Sequence, residues 1–264
     1  MVPRGLLLAM LAAASAWAES GTVVTAPLEW EPGSVGGAGA QSVPLSTTAP
    51  EGVGLPQEAG GLQLGSARIG DVRPLVFAAR LDAAEPRILV DTDMDGDLAD
   101  EREAAWERSG TVLRHEATVL VPVSGDALPV PVQIAFTRAV ATTADTVTVS
   151  PQAHRVGEAV LAGRLRRIAL VDESGDLCFD DERRDVFYVD VDGSETFAAG
   201  HGTPEHFHFG APVRIGDRGY TVRVTTACGA ALEFTETAAP PATAPSWSGP
   251  RHAGPGREQA LPPE

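Results

Sequence analysis

The stretch that decides the fold is Arg87-Ile88-Leu89-Val90 followed by Asp91-Thr92-Asp93-Met94-Asp95-Gly96-Asp97-Leu98-Ala99-Asp100-Glu101. The short apolar run predicts a buried strand. The six carboxylates that follow it repel one another unless the backbone wraps them around a cation. Alternate Asp residues followed by Gly are typical of a calcium loop, in which the side chains at positions 1, 3 and 5 point inward and Gly permits a sharp turn. We therefore predict a Ca²⁺ site in this first loop, with candidate ligands Asp91, Asp93, Asp95, Asp97, Asp100 and Glu101.

The first loop departs from a standard EF-hand in two respects. That motif has a bidentate Glu at position 12, whereas here Arg102 stands at position 12 and Glu101 comes one place earlier. The residues before Asp91 are also strand-like rather than helical. These differences favour a fixed structural clip at the end of a strand over a regulatory calcium sensor.

A second loop, Asp172-Glu173-Ser174-Gly175-Asp176-Leu177-Cys178-Phe179-Asp180-Asp181-Glu182, repeats the pattern after the apolar run Ile168–Val171. Aligning Asp172 with Asp91 puts Leu177 where the first loop has Gly96, which predicts a different loop shape or weaker affinity because positive φ is costly for Leu. Sliding the alignment by two residues restores the glycine but loses the strand junction. Either way, the internal repeat indicates two related units. The candidate ligands are Asp172, Ser174, Asp176, Asp180, Asp181 and Glu182.

A third loop, Asp190-Val191-Asp192-Gly193-Ser194-Glu195, follows another apolar run and has Asp185 ahead of it. Its candidate ligands are Asp190 and Asp192. It is interpreted either as a further half-site or as a segment that completes the second site from across a hairpin.

Outside the loops the sequence predicts an all-β fold, sandwich- or barrel-like. Short runs of Val, Ile, Leu, Thr and Phe alternate there with Gly, Pro and Asp. Residues 215–220 predict a tight hairpin. One short helix is expected over Asp100–Arg108, where helix-forming residues follow the first loop. The predicted strands cover 75–77, 87–90, 118–123, 130–136, 146–149, 159–171, 186–191, 213–215, 220–225 and 231–234.

The sequence divides into segments of different composition. Residues 1–18 are typical of a signal peptide with cleavage after Ala18, which predicts a secreted or periplasmic protein. Residues 19–60 and 238–264 are rich in Gly, Pro and small residues and are expected to be a flexible leader and a disordered tail. The β-rich calcium-loop domain is placed at 61–237, with subunits at about 61–155 and 156–237.

Charge and cysteine content narrow the function classes. The net charge is −16 and all 20 basic residues are Arg, which argues against nucleic acid and anionic membranes as partners and suits calcium ions. No apolar run beyond the signal reaches the roughly 18 residues of an integral membrane segment. Cys178 and Cys228 allow one intramolecular pairing, and both a disulfide and two buried thiols fit the sequence.

Taken together, the loops and a closing segment, Phe207–Gly210 through Tyr220-Thr221-Val222, resemble those of uncharacterised exported bacterial proteins. In that family a strand runs into D-x-D-x-D-G-D-L-x-D-E, and a second acidic loop and a V-D-x-D-G turn follow. The resemblance implies a β-rich exported protein with calcium loops and no known reaction. Some relatives carry a thioredoxin-like domain after this module; because no C-x-x-C motif occurs in this sequence, none is expected here.

Other chemistry has weaker support in the sequence. His201, His206 and His208 cluster near Glu205, and a Zn²⁺ or Cu²⁺ site there would favour a metal-dependent hydrolase. Cys178 lies among carboxylates, which would raise its pKa and make it a poor nucleophile. A calcium-dependent adhesion or carbohydrate-binding module is a third reading, with an unspecified protein or glycan partner. The main hypothesis is an exported calcium-binding β-protein without an identifiable catalytic site.

Overall fold

The computed structural model describes residues 21–37, 39–57, 60–81, 84–140, 145–181, 183–198 and 202–238. Within these residues the protein is all-β, which confirms the predicted class, and it contains no helix. None of the described segments is a helix with the length and apolarity that crossing a membrane requires. The strands are β1 (Val23–Pro32), β2 (Gln41–Pro44), β3 (Gln63–Ala67), β4 (Leu75–Arg80), β5 (Arg87–Val90), β6 (Ala104–Ala105), β7 (Glu107–Ser109), β8 (Val112–Val121), β9 (Val130–Ala139), β10 (Thr146–Leu161), β11 (Arg164–Val171), β12 (Val186–Val189), β13 (His206–His208), β14 (Val213–Ile215), β15 (Arg218–Val224) and β16 (Ala231–Thr237).

The strands form a large branched sheet of 12 strands and a smaller sheet of four, β3-β4-β5-β6. The long strand β10, with 16 residues, organises the large sheet. Its first half pairs with β9 and β2, and its second half pairs with β1 and β11. The division between subunits predicted at about residue 155 therefore falls inside one continuous strand.

The two largest of four hydrophobic clusters in the described residues, called here the first and second cores, take residues from different halves of β10. The first contains Phe77 and Phe136, whose rings meet edge to face at 5.3 Å, and it fills the space between the small sheet and β8–β10. The second surrounds Phe187, which packs against Phe209 and Phe234 from β11–β16. The acidic loops follow strands that contribute to these cores, so the packing of the strands fixes where each loop starts.

The prediction of a flexible leader at 19–60 is corrected by the structure, which places β1 and β2 in that segment. Strand β1 pairs with β16 over Val23–Pro27 and with β10 over Leu28–Pro32. Both partners are remote in sequence, and for that reason local composition did not reveal the strand. Residues 1–20 and 239–264, where the signal peptide and most of the predicted tail fall, lie outside the described residues.

The short helix predicted over Asp100–Arg108 is also wrong, because the structure forms β6 and β7 there. Trp106 lies between these two strands and is buried in the first core, with its Nε1 donating to the carbonyl of Arg87 at 3.1 Å. Pairing of β6 with β5 and burial of the indole outweigh the helix propensity of the surrounding Glu, Arg and Ala residues.

Candidate metal-binding loops

The structure gives the three acidic loops one shared backbone form. Each begins with an Asp directly after a strand: Asp91 after β5, Asp172 after β11 and Asp190 after β12. All three of these Asp residues are buried. In each loop the amide of the fifth following residue donates to Oδ2 of the first Asp, at 2.9, 2.5 and 2.9 Å respectively. In every loop the carboxylate of the first Asp therefore fixes the loop backbone through this hydrogen bond.

Positive φ angles recur at the same places in the three loops. In each, the third and fifth residues after the first Asp lie in the left-handed region. The φ values are 54° and 91° at Met94 and Gly96, 78° and 58° at Gly175 and Leu177, and 79° and 63° at Gly193 and Glu195. The match supports the alignment of Asp172 with Asp91 rather than the one shifted by two residues. It also adds the third loop to the repeat.

Leu177 keeps the shape of the second loop despite occupying the glycine position. Its φ of 58° is strained for a side chain with a γ-branch, and the sequence therefore predicted a different loop shape there. The structure corrects this, because the Leu177 side chain is buried in the first core and its packing offsets the strain. Phe179, two residues later, packs in the second core. The second loop thus joins the two cores.

In the first loop, Asp91, Asp93 and Asp95 are brought together, with one oxygen from each lying within 4.8 Å of the others. Burial raises the pKa of Asp91 to about 6. Hydrogen bonds from the amides of Gly96 and Asp95 oppose this rise, while the charges of Asp95 and Asp93 add to it. Two exposed carboxylates beside a buried one form an arrangement that a hard cation would stabilise.

The remaining candidates of the first loop take other roles. Glu101 accepts hydrogen bonds from the amide and the hydroxyl of Thr92, at 2.5 and 2.8 Å, so it closes the loop onto its start. Asp97 caps the amide of Ala99 at 2.8 Å. Asp100 is exposed. None of the three joins the group formed by Asp91, Asp93 and Asp95.

The third loop forms a second group of three acids, one of which the sequence did not assign to this loop. Oxygens of Asp190, Asp192 and Glu205 lie within 4.8 Å of one another. Burial opposes ionisation of Asp190, but the amides of Glu195, Gly193 and Ser194 outweigh it and lower its pKa. Glu205 comes from the residue before β13, and its Oε1 accepts the amide of Val191 at 3.1 Å.

Glu205 in the third loop matches Glu101 in the first. Each is an acid that accepts the amide of the residue directly after the first Asp, Val191 in one case and Thr92 in the other. The other oxygen of Glu205 accepts the amide of Ala198 at 2.7 Å. The sequence placed Glu205 near the histidines, and only the pairing of β12 with β13 brings it to the third loop.

In the second loop Asp172 is surrounded by donors. Its Oδ1 accepts the amides of Ser174 and Gly175, and the Ser174 hydroxyl bridges Asp172 and Asp176 at 2.8 and 2.7 Å. Asp172, Ser174 and Asp176 are therefore brought together through hydrogen bonds. Among the described residues, however, the carboxylates of this loop do not form a third group of the compact kind seen in the other two.

The candidates later in the second loop, Asp180 and Asp181, make hydrogen bonds outside the set formed by Asp172, Ser174 and Asp176. Asp180 receives a hydrogen bond from Arg68 at 3.2 Å, and Asp181 caps the amide of Arg183 at 3.1 Å. Glu182 lies outside the described residues. Asp185, which the sequence did not assign, is fully buried. Its Oδ2 accepts the amide of Asp181 at 3.1 Å, and its Oδ1 has no hydrogen-bond donor.

The candidate histidines and cysteines that the structure describes pack against other side chains or lie buried. The rings of His206 and His208 meet edge to face at 4.7 Å, and His206 also packs on Tyr188. His201 lies outside the described residues. Cys178 and Cys228 are both buried and are not bonded to each other in this structure. Burial raises the pKa of each thiol to about 12, which keeps both protonated at neutral pH.

Comparison of the chain with protein-family models, with curated proteins and with solved structures finds no match. The resemblance to exported bacterial proteins therefore stays a prediction.

Proposed function

We propose that this protein is an exported calcium-binding β-protein whose acidic loops hold Ca²⁺ as structural clips at strand ends. The observation that carries the proposal is that two loops with the same backbone form each gather three carboxylates within 4.8 Å. Oxygen ligands at such spacing suit a hard cation bound at roughly 2.3–2.6 Å. Calcium accepts irregular coordination more readily than magnesium, which demands a near-ideal octahedron.

A structural rather than a signalling role follows from where the loops are fixed. The amide of Gly54 donates to the carbonyl of Gly96 at 3.0 Å, and the amide of Leu98 donates to the carbonyl of Gly54 at 3.0 Å. Leu98 itself is fully buried. These two hydrogen bonds and the burial of Leu98 hold the first loop in place, so little freedom remains for an opening driven by calcium. A bound ion would instead tie β5 to the segment around Gly54.

Export agrees with this role, because the signal-like residues 1–18 would deliver the chain to a calcium-containing compartment. Extracellular modules bind calcium with dissociation constants of roughly 10⁻⁴–10⁻³ M. Even sites of that modest affinity would therefore be substantially filled outside the cell.

Calcium counting by equilibrium dialysis of the chelator-stripped protein tests the proposal. Asp93→Asn in the first loop and Asp192→Asn in the third should each remove one bound calcium per chain. Both side chains are exposed members of their groups, so the fold should survive their replacement. Asp217→Asn, an identical charge change in the exposed turn between β14 and β15, should remove none. Unchanged calcium binding in both loop variants would refute the proposal.

A further inference from the structure

The second loop contains a buried carboxylate that the fold leaves incompletely paired. Asp185 is 0 % exposed, and its Oδ1 has no hydrogen-bond partner, whereas its Oδ2 accepts the amide of Asp181. Buried polar atoms are rarely left without a partner, and a charged one is the most costly kind. An oxygen in this position needs a proton or a cation.

The surroundings of Asp185 are acidic. After burial, the strongest influences raising its pKa are the charge of Asp172 and, more weakly, those of Asp176 and Asp181. Asp172 is itself buried. The only ion pair that reaches this set is from Arg68 to Asp176, at 3.4 Å, among the described residues. The Arg68 side chain is 56 % exposed and also pairs with Asp180, so the acidic groups around Asp185 outnumber the basic ones and favour a bound cation.

We infer that the second loop is a third, buried calcium site, in which Asp185 joins Asp172 and Asp176 as a ligand. In the first and third loops an acid from later in the chain, Glu101 or Glu205, accepts a hydrogen bond from the amide of the residue directly after the first Asp. Asp185, just before β12, is also an acid later in the chain, but its Oδ2 accepts the amide of Asp181, near the end of the second loop. The inference takes the identity of the ion from the proposed function, but the site rests on the unpartnered oxygen of Asp185.

Such a site would lie at the joint between the two cores. Leu177 packs in the first core and Phe179 in the second. The segment around Gly39 covers the loop closely, because a Cβ on Gly39 would lie 2.4 Å from the carbonyl oxygen of Asp172. The amide nitrogen of Gly70 also donates to the carbonyl of Asp176 at 2.7 Å. Calcium bound here would hold parts of both cores and β2 together.

The test isolates the second loop by using the full chain with Asp93→Asn and Asp192→Asn already in place. Equilibrium dialysis of this chain against calcium chloride should find one calcium per chain. Adding Asp185→Asn should abolish that binding, and so should Asp176→Asn. Adding Asp180→Asn should leave it unchanged, because Asp180 is half exposed and faces Arg68.

Each outcome decides the inference. Two results together support a shared buried site. Both variants lose the bound calcium, and the melting temperature of Asp185→Asn in chelator is no lower than that of its parent. Calcium that persists in Asp185→Asn overturns it and assigns a proton to the buried oxygen instead. A background chain that binds no calcium also overturns it, while the proposed function for the other two loops stands. If instead Asp93→Asn and Asp192→Asn change nothing but Asp185→Asn removes calcium, the proposed function fails and this inference survives.

Discussion

The replacement Asp126→Asn should test how β1, the strand hidden in the Gly- and Pro-rich segment, is held in the sheet. Oδ2 of Asp126 accepts hydrogen bonds from Trp30 Nε1 and from Arg155 Nη2, both at 3.1 Å. The Arg155 side chain is 3 % exposed, and its guanidinium lies 4.1 Å from the centre of the Trp30 ring. Arg155 also donates to the carbonyl of Leu28 at 3.2 Å, so this cation ties β1 to β10.

The size of the effect follows from burial. Removing one partner of a fully buried ion pair costs about 3–5 kcal/mol, because the other charge is left uncompensated. The Asp126 side chain is 28 % exposed, which admits water and reduces the expected cost to about 2–3 kcal/mol. For a folded region of this size, about 2–4 °C per kcal/mol implies a melting temperature lower by about 4–12 °C.

Urea unfolding followed by circular dichroism, in buffer containing chelator, measures the change in the free energy of unfolding. Asp217→Asn is the control, since it removes the same charge from an exposed turn. A double-mutant cycle with Arg155→Met should show a coupling energy of about 0.5–3 kcal/mol between the two positions. If Asp126→Asn behaves like Asp217→Asn, or if the coupling is absent, the reasoning that this pair anchors β1 is refuted.

Three further predictions concern the loops and the solvent. Calcium at about 100 times the dissociation constant should add about 2.7 kcal/mol to the free energy of unfolding for each site, which raises the melting temperature by about 5–11 °C. In calorimetry, Asp93→Asn should lose the increase that belongs to one site. An unchanged melting temperature on chelation of the parent would contradict the structural role. Burial lowers the pKa of His154 below 6.5, so protonation favours the unfolded chain and stability should decrease as the pH falls through 6.5. His154→Asn keeps a donor for the carbonyl of Gly33, 3.2 Å away, and should make urea midpoints less sensitive to pH between 7 and 5, whereas an identical pH profile would count against this reading. Gly39→Ala should destabilise the fold by about 1–3 kcal/mol in urea unfolding, because its Cβ would meet backbone atoms of the second loop at 2.4–2.5 Å, while Gly60→Ala, with nothing within 4 Å, should not.

Local pattern was sufficient to predict the all-β class and the approximate positions of most strands. β5 and β14 have the bounds read from the sequence, and the hairpin between β14 and β15 lies where Gly216-Asp217 predicted it. Such features depend on residues next to one another, since turn chemistry and short apolar runs act over a few positions. The grouping of Asp91, Asp93 and Asp95 was predictable for the same reason.

Features that depend on partners distant in the chain were missed or misjudged. The segment around Trp106 has helical propensity, but it forms two short strands, of which β6 pairs with β5 and β7 pairs with β8. β1 is ordered by β10 and β16, neither of which is visible from its own composition. In both cases contacts between remote residues contribute more free energy than local propensity does.

The sequence by itself determined the chemistry of the loops, because the Asp spacing and the preceding apolar strand are both local. Only the tertiary structure decided which acids from later in the chain contact them. Glu205 reaches the third loop through the pairing of β12 with β13, and the fully buried Asp185 contacts the end of the second loop at the amide of Asp181. A strand fixes the direction of its neighbouring residues, but the position of a carboxylate from another strand is set by sheet register and core packing.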